Sequence, residues 1–146
     1  MDKLPPEAQA AFSDMSAVKM LATISPDYKV NLVPVASLNA MGDDTLLFVH
    51  LFLKKTKVNL GSNPNVVAAV FQPPSTAYQV KCKMTQWLTS GPVYDMVKQM
   101  MAAKVPIACR GVITMQVEEV YDLCPTVNSN KLAWSPWADV KLSLGM

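Results

Sequence analysis

Polar and apolar side chains alternate along residues 77–88. Tyr78, Val80, Cys82 and Met84 fall on one side of an extended chain; Gln79, Lys81, Lys83 and Thr85 fall on the other. Successive side chains of a strand point to opposite faces, so this period of two predicts a strand with one buried face. Residues 107–120 alternate in the same way, Ile107, Cys109, Gly111, Ile113, Met115 and Val117 against Arg110, Thr114, Gln116 and Glu118, with Gly111 a natural place for a bend. Residues 45–53 form the most apolar run and predict a central strand. Residues 18–25 and 30–39 flank Ser25, Pro26, Asp27, Tyr28 and Lys29, favourable turn chemistry, so they predict a hairpin. Pro34 interrupts its return strand. Proline cannot donate to a ladder, which places this point at a sheet edge or a bulge. Residues 66–71 make a sixth strand. Helical spacing appears three times: at 5–16 (Ala8, Ala11, Phe12, Met15), at 54–61 ahead of Gly61, and from Pro92 to about Lys104 (Val93, Met96, Val97, Met100, Met101), where Pro106 stops it.

Six strands joined by short connections predict a mainly β domain with short helices, antiparallel and closed into a barrel that removes exposed edges. The chain has 146 residues, enough for one domain with a real core. Residues 121–146 differ in character. Their prolines and asparagines favour irregular backbone, yet Trp134 and Trp137 predict a tail that packs on the barrel or on a partner subunit.

Charge and composition remove several classes of function. The net charge is +2 with scattered lysines and a single arginine, Arg110, which argues against a nucleic-acid groove. No run approaches the length of a transmembrane helix, and the start of the chain lacks the apolar segment of a signal peptide. One histidine and three separated cysteines, Cys82, Cys109 and Cys124, give poor support to a zinc site. They read as reduced thiols of a cytoplasmic protein.

The richest chemistry follows the apolar run. Lys54, Lys55, Thr56 and Lys57 open a short helix directly after it. Free N–H groups, the positive end of the helix dipole and lysine charge together suit a phosphate. A solvated basic turn is the plainer reading. Helical spacing sets Lys54 and Lys57 on a different side from Lys55, and they read as surface charge.

In order along the chain stand Leu21-Ala22-Thr23 with Asp27, Val33-Pro34-Val35, residues 43–48, Lys55-Thr56 with Asn59, Asn63-Pro64 with Val66, residues 78–81, Ser90-Gly91-Pro92, and Glu119-Val120-Tyr121. This series resembles the pyridoxamine 5'-phosphate oxidase-like, FMN-binding split β-barrel family over roughly residues 5–130. The resemblance implies a six-stranded Greek-key split barrel and a homodimer with FMN at the subunit interface. By matching position, Lys55, Thr56 and Asn59 belong to the phosphate end. Val49 and His50 line the cofactor. Pro34, Val35, Ala36 and Ser37 face the ring or ribityl chain, and Gln79 reaches the flavin. The chain lacks an arginine that many relatives carry near Lys55. It also lacks the basic C-terminal segment of the oxidase proper, so pyridoxine-phosphate oxidation is not transferred. The implied function is a small FMN-dependent oxidoreductase that moves hydride or electrons, with no protein side chain required as a catalyst. The alternative is a module that binds, stores or senses FMN, the deazaflavin F420 or haem without turnover.

Overall fold

The computed structural model describes residues 1–50, 54–73, 75–104 and 109–123. Helix α1 (Pro6–Ser13) starts on Pro5, extended, with proline in its first turn, where the missing N–H costs nothing. It ends one residue after Phe12 because Asp14 is extended and its Oδ1 accepts from both the N–H and the hydroxyl of Ser16, each at 2.8 Å. Ala8, Ala11 and Phe12 are fully buried, so the narrow apolar face seen in the sequence docks on the sheet.

Strands β1 (Val18–Ile24) and β2 (Val30–Pro34) form the predicted hairpin, in register from Ile24 opposite Val30 to Met20 opposite Pro34. The single strand expected over 30–39 is two. After Pro34 the chain makes a turn over 35–38, closed by the Leu38 N–H on the Val35 carbonyl at 3.2 Å, and resumes as β3 (Asn39–Ala40). Proline removes a ladder donor and the chain bends away, so the sheet has seven strands among the described residues, not six. The remaining elements are β4 (Thr45–Val49), α2 (Lys55–Ser62), β5 (Asn65–Gln72), β6 (Thr76–Leu88), α3 (Pro92–Ala102) and β7 (Val112–Asp122).

All pairings are antiparallel, in the order β2-β1-β5-β6-β7-β4-β3. The two edge strands, β2 and β3, are consecutive in the chain. The short turn between them draws the edges together, and the sheet curls. Register shifts between Lys81 and Cys82 and between Met84 and Gln86 bend the long β6–β7 ladder.

The concave side holds the main core, built on Leu4, Phe12, Leu21, Leu38, Leu46, Phe48, Val80, Ile113, Met115 and Val117. A second, smaller cluster lies on the opposite side of β4 and β7, where α3 covers Leu47, Val49 and Val112 with Val97, Val93 and Met101. This explains why residues 45–49 are apolar at every second and every first position alike: both faces are covered. It also corrects the alternation read over 107–120. Val112 and Thr114, on the supposed outer side, are buried, since α3 and the neighbouring strands shield that face too. Gly111 precedes the strand rather than bending it. A Cβ there would lie 2.6 Å from Trp87 Nε1, so glycine is needed for close approach of the indole.

Candidate cofactor-binding site

Helix α2 begins in an electrostatically unfavourable way. Lys54 is its N-cap and makes no side-chain capping bond; Lys55 and Lys57 follow within the first turn, and no acid is present there. Three cations thus sit at the positive end of the helix dipole, where an acid or an anion is the stabilising group. The helix is fixed underneath. Asn59 Nδ2 donates to Thr23 Oγ1 of β1 at 3.0 Å, and Asn31 Nδ2 of β2 approaches Thr56 Oγ1 at 3.4 Å. Both Asn59 and Thr56 are buried.

Between this helix and the β1–β2 turn lies a cleft of about 520 Å³, lined among others by Asp27, Lys29, Asn31, Lys54, Lys55 and Asn59. Lys54, set aside in the sequence, lines it beside Lys55. Thr56 does not; its side chain is tucked behind the cleft against Asn31. Val30 also borders a hollow of about 320 Å³ on the convex face of the sheet, with Ala22, Ile24, Val67, Lys81 and Glu119. The two hollows therefore adjoin at Val30. Each lies within the range of small-molecule pockets, roughly 300–1,000 Å³.

That convex face is apolar over three strands. Val18, Met20, Ala22 and Ile24 of β1 stand beside Val30, Leu32 and Pro34 of β2 and Val67, Ala69 and Phe71 of β5. Val30 is 73% exposed and Leu32 61%, unusual for such residues in a sheet. The registers place Pro34, Met20, Ala69, Gln79 and Tyr121 in one row across five strands. Two predicted site residues, Pro34 and Gln79, thus share one sheet face, three strand spacings or about 14 Å apart.

The other predicted residues gather at two further places. The turn over 35–38 is pinned from both sides: the Val35 N–H donates to the Lys19 carbonyl at 3.0 Å, and the Val49 N–H donates to Ser37 Oγ at 3.0 Å. Val35 is buried and Ala36 exposed. The Val49 side chain instead packs under α3 in the second cluster. His50 directly follows β4; its N–H donates to the Gly111 carbonyl at 2.8 Å, and its carbonyl accepts from the Arg110 N–H at 3.1 Å. Its ring is buried edge-on against Trp87, centroids 5.3 Å apart, and Nδ1 has no hydrogen-bond partner among the described residues. Burial, then the charges of Lys57 and Arg110, hold this imidazole below its ordinary range, so it is neutral at pH 7. Arg110 is thus brought to the end of β4 from far along the chain. Sequence spacing hid this; the β4–β7 pairing creates it.

One residue passed over in the sequence is Lys19. It is 3% exposed, and Nζ donates to the Leu38 carbonyl at 2.8 Å and to the Ala36 carbonyl at 3.4 Å. Burial lowers its pKa, partly offset by Asp14. The only available signal was its place among apolar neighbours on β1.

Cys82 is buried and its thiol is pushed up to about 12, which leaves it a core filler. No group of three metal-ligating side chains occurs among the described residues. No described helix is long and apolar enough to cross a membrane. Trp134, Trp137 and Cys124 lie outside the described residues.

No protein-family model and no curated protein matches the chain in sequence. Solved structures do match in shape. An FMN-binding protein from Syntrophomonas wolfei superposes with a TM-score of 0.72 at 18% identity, covering 80% of this chain and 84% of that one. A candidate pyridoxamine 5'-phosphate oxidase from Lactobacillus delbrueckii gives 0.66 at 20% identity, over 83% and 99% of the two chains. HutZ, the haem storage protein of Vibrio cholerae, gives 0.60 at 12% identity, over 82% and 94%. Element order, curled antiparallel sheet and these neighbours agree: the chain has the split-barrel fold of the pyridoxamine 5'-phosphate oxidase-like proteins.

Proposed function

We propose that the protein binds FMN and works as a homodimeric flavoprotein that transfers hydride or electrons. The observation that carries this reading is the uncapped, acid-free start of α2, with Lys54 and Lys55 on a cleft that adjoins an apolar hollow at Val30. A ligand with a dianionic phosphate at one end and a flat apolar ring at the other matches that sequence of surfaces, the ring lying on the convex face along β2 from Val30 towards Pro34. Charge-assisted hydrogen bonds net about 1.5–3 kcal/mol each, so two lysines and the first N–H groups of α2 suffice for an anchor. Lys55 and Asn59 keep the roles expected from the sequence, Lys54 joins them, and Thr56 contributes through its backbone N–H rather than an open hydroxyl.

The convex apolar face supports a second copy of the chain as cover. An apolar patch of this kind on an edge-strand hairpin is costly to leave in water. Gln79 and Pro34 lie on it, so a dimer formed there places both at the interface. When bound, the flavin supplies the redox chemistry, while the chain binds it, orients it and excludes water. The shape likeness to a haem storage protein supports a storage role as the second reading. The neutral His50, with Nδ1 unpartnered among the described residues, is the side chain such a reading would use.

The absorption spectrum of freshly purified protein tests these readings. Flavin bands are expected; a Soret band would favour haem. Lys54→Ala combined with Lys55→Ala should weaken FMN by at least about tenfold, as loss of one charged hydrogen bond requires. Retention at wild-type affinity would refute the phosphate site.

A further inference from the structure

The turn between β2 and β3 has a built-in direction. Its central peptide joins the Ala36 carbonyl to the Ser37 N–H. In a trans peptide these two groups point opposite ways. The Ala36 carbonyl faces the buried Lys19 ammonium, 3.4 Å away, and the Leu38 carbonyl closes on the same Nζ at 2.8 Å. The Ser37 N–H must therefore point away from Lys19, out of the turn. No described residue accepts a hydrogen bond from it, whereas the Val35 and Leu38 N–H groups are both bonded. The opposite orientation is a type II turn, which needs a positive φ at Ser37. Among the described residues only Tyr28 and two glycines have one.

Lys19 reaches this turn from the concave side of β1, between Val18 and Met20, which face outward. A buried ammonium is costly unless donors meet acceptors, and here two peptide carbonyls satisfy it. Its charge polarises both peptides and strengthens their outward N–H groups as donors. Asn39, next to Leu38, belongs to the β3–β4 ladder, which leaves Ser37, among the described residues, as the free donor of the pair.

We propose that Lys19 is a positioning residue: it locks the central peptide of the 35–38 turn with its carbonyl inward, so that the Ser37 N–H is presented outward, polarised, to the electron-rich edge of a bound flavin. This rests on the reading of residues 34–37 as ring-facing. A flavin ring gains negative charge on reduction, so a donor held beside it by a buried cation favours the reduced form and raises the midpoint potential.

Two measurements on the full-length protein separate this inference from the flavin reading itself. Without ligand, amide-exchange NMR should show Ser37 exchanging freely while Val35 and Leu38 are protected. A protected Ser37 amide overturns the proposal whether or not flavin binds. With FMN, Lys19→Met should weaken binding about tenfold, the worth of one ordinary hydrogen bond, and move the flavin potential to a more negative value. Lys19→Arg should restore the potential in large part, which a purely structural role would not require. An unchanged potential in Lys19→Met overturns the proposal. Failure of the wild-type protein to bind FMN overturns the flavin reading and the donor's role with it, while the Ser37 exchange still reports the peptide orientation. Should Lys19→Met fail to fold, Lys19→Gln, which keeps a donor but no charge, should show the same negative shift; an unchanged potential there overturns the proposal equally.

Discussion

His50 is a residue whose surroundings set its chemistry. Its ring lies edge-on to Trp87; burial and then the charges of Lys57 and Arg110 disfavour the imidazolium. The unfolded chain protonates this histidine near the ordinary 6.5, while the native state resists. The unfolded state therefore binds more protons as pH falls through that value, and stability is lost below it until the native ring also titrates. Thermal unfolding followed from about pH 7.5 to about pH 5 should show this loss, and His50→Gln should flatten it. A parallel fall in both proteins would assign the acid sensitivity elsewhere. The sequence singled out His50 as a cofactor-lining candidate near the end of the apolar run. It could not supply the neighbours, because Arg110 and Trp87 arrive from distant strands.

At the scale of elements, close packing makes two residues critical. Phe12 is fully buried where α1 crosses the sheet. Phe12→Ala should cost about 3–5 kcal/mol, read by urea denaturation, because it empties the largest side chain of the α1 face from the core. Gly111→Ala should cost about 1–3 kcal/mol, since the added methyl meets the Trp87 indole and the Leu88 carbonyl behind it. Trp87 fluorescence should shift in the same variant as the indole leaves His50. Every described element except β3 was legible in the sequence, from periodicity, apolar runs and turn residues. The break of 30–39 into β2 and β3 was half legible: Pro34 announced an interruption, but the turn depends on Lys19 and Ser37, whose partners are remote in sequence.

At the scale of the molecule, the unpaired feature is the convex apolar face. Sedimentation of the wild-type protein should report a dimer, and Leu32→Lys should shift it to monomer by burying a charge against the partner. A monomeric wild type at working concentration would count against the homodimer. Loss of FMN affinity should accompany loss of the dimer if the second subunit covers the ring.

The sequence alone determined most of the strand and helix pattern, the mainly β class and the cationic start of α2, because these rest on periodicity and on neighbours within a few residues. The tertiary structure alone decided which side chains meet. It moved Thr56 behind the cleft, brought Lys54 onto it, set Arg110 beside His50 and drew Lys19 under the 35–38 turn. The physical reason is that strand pairing and burial join residues far apart in the chain, and no local pattern encodes which distant carbonyl a buried ammonium will find.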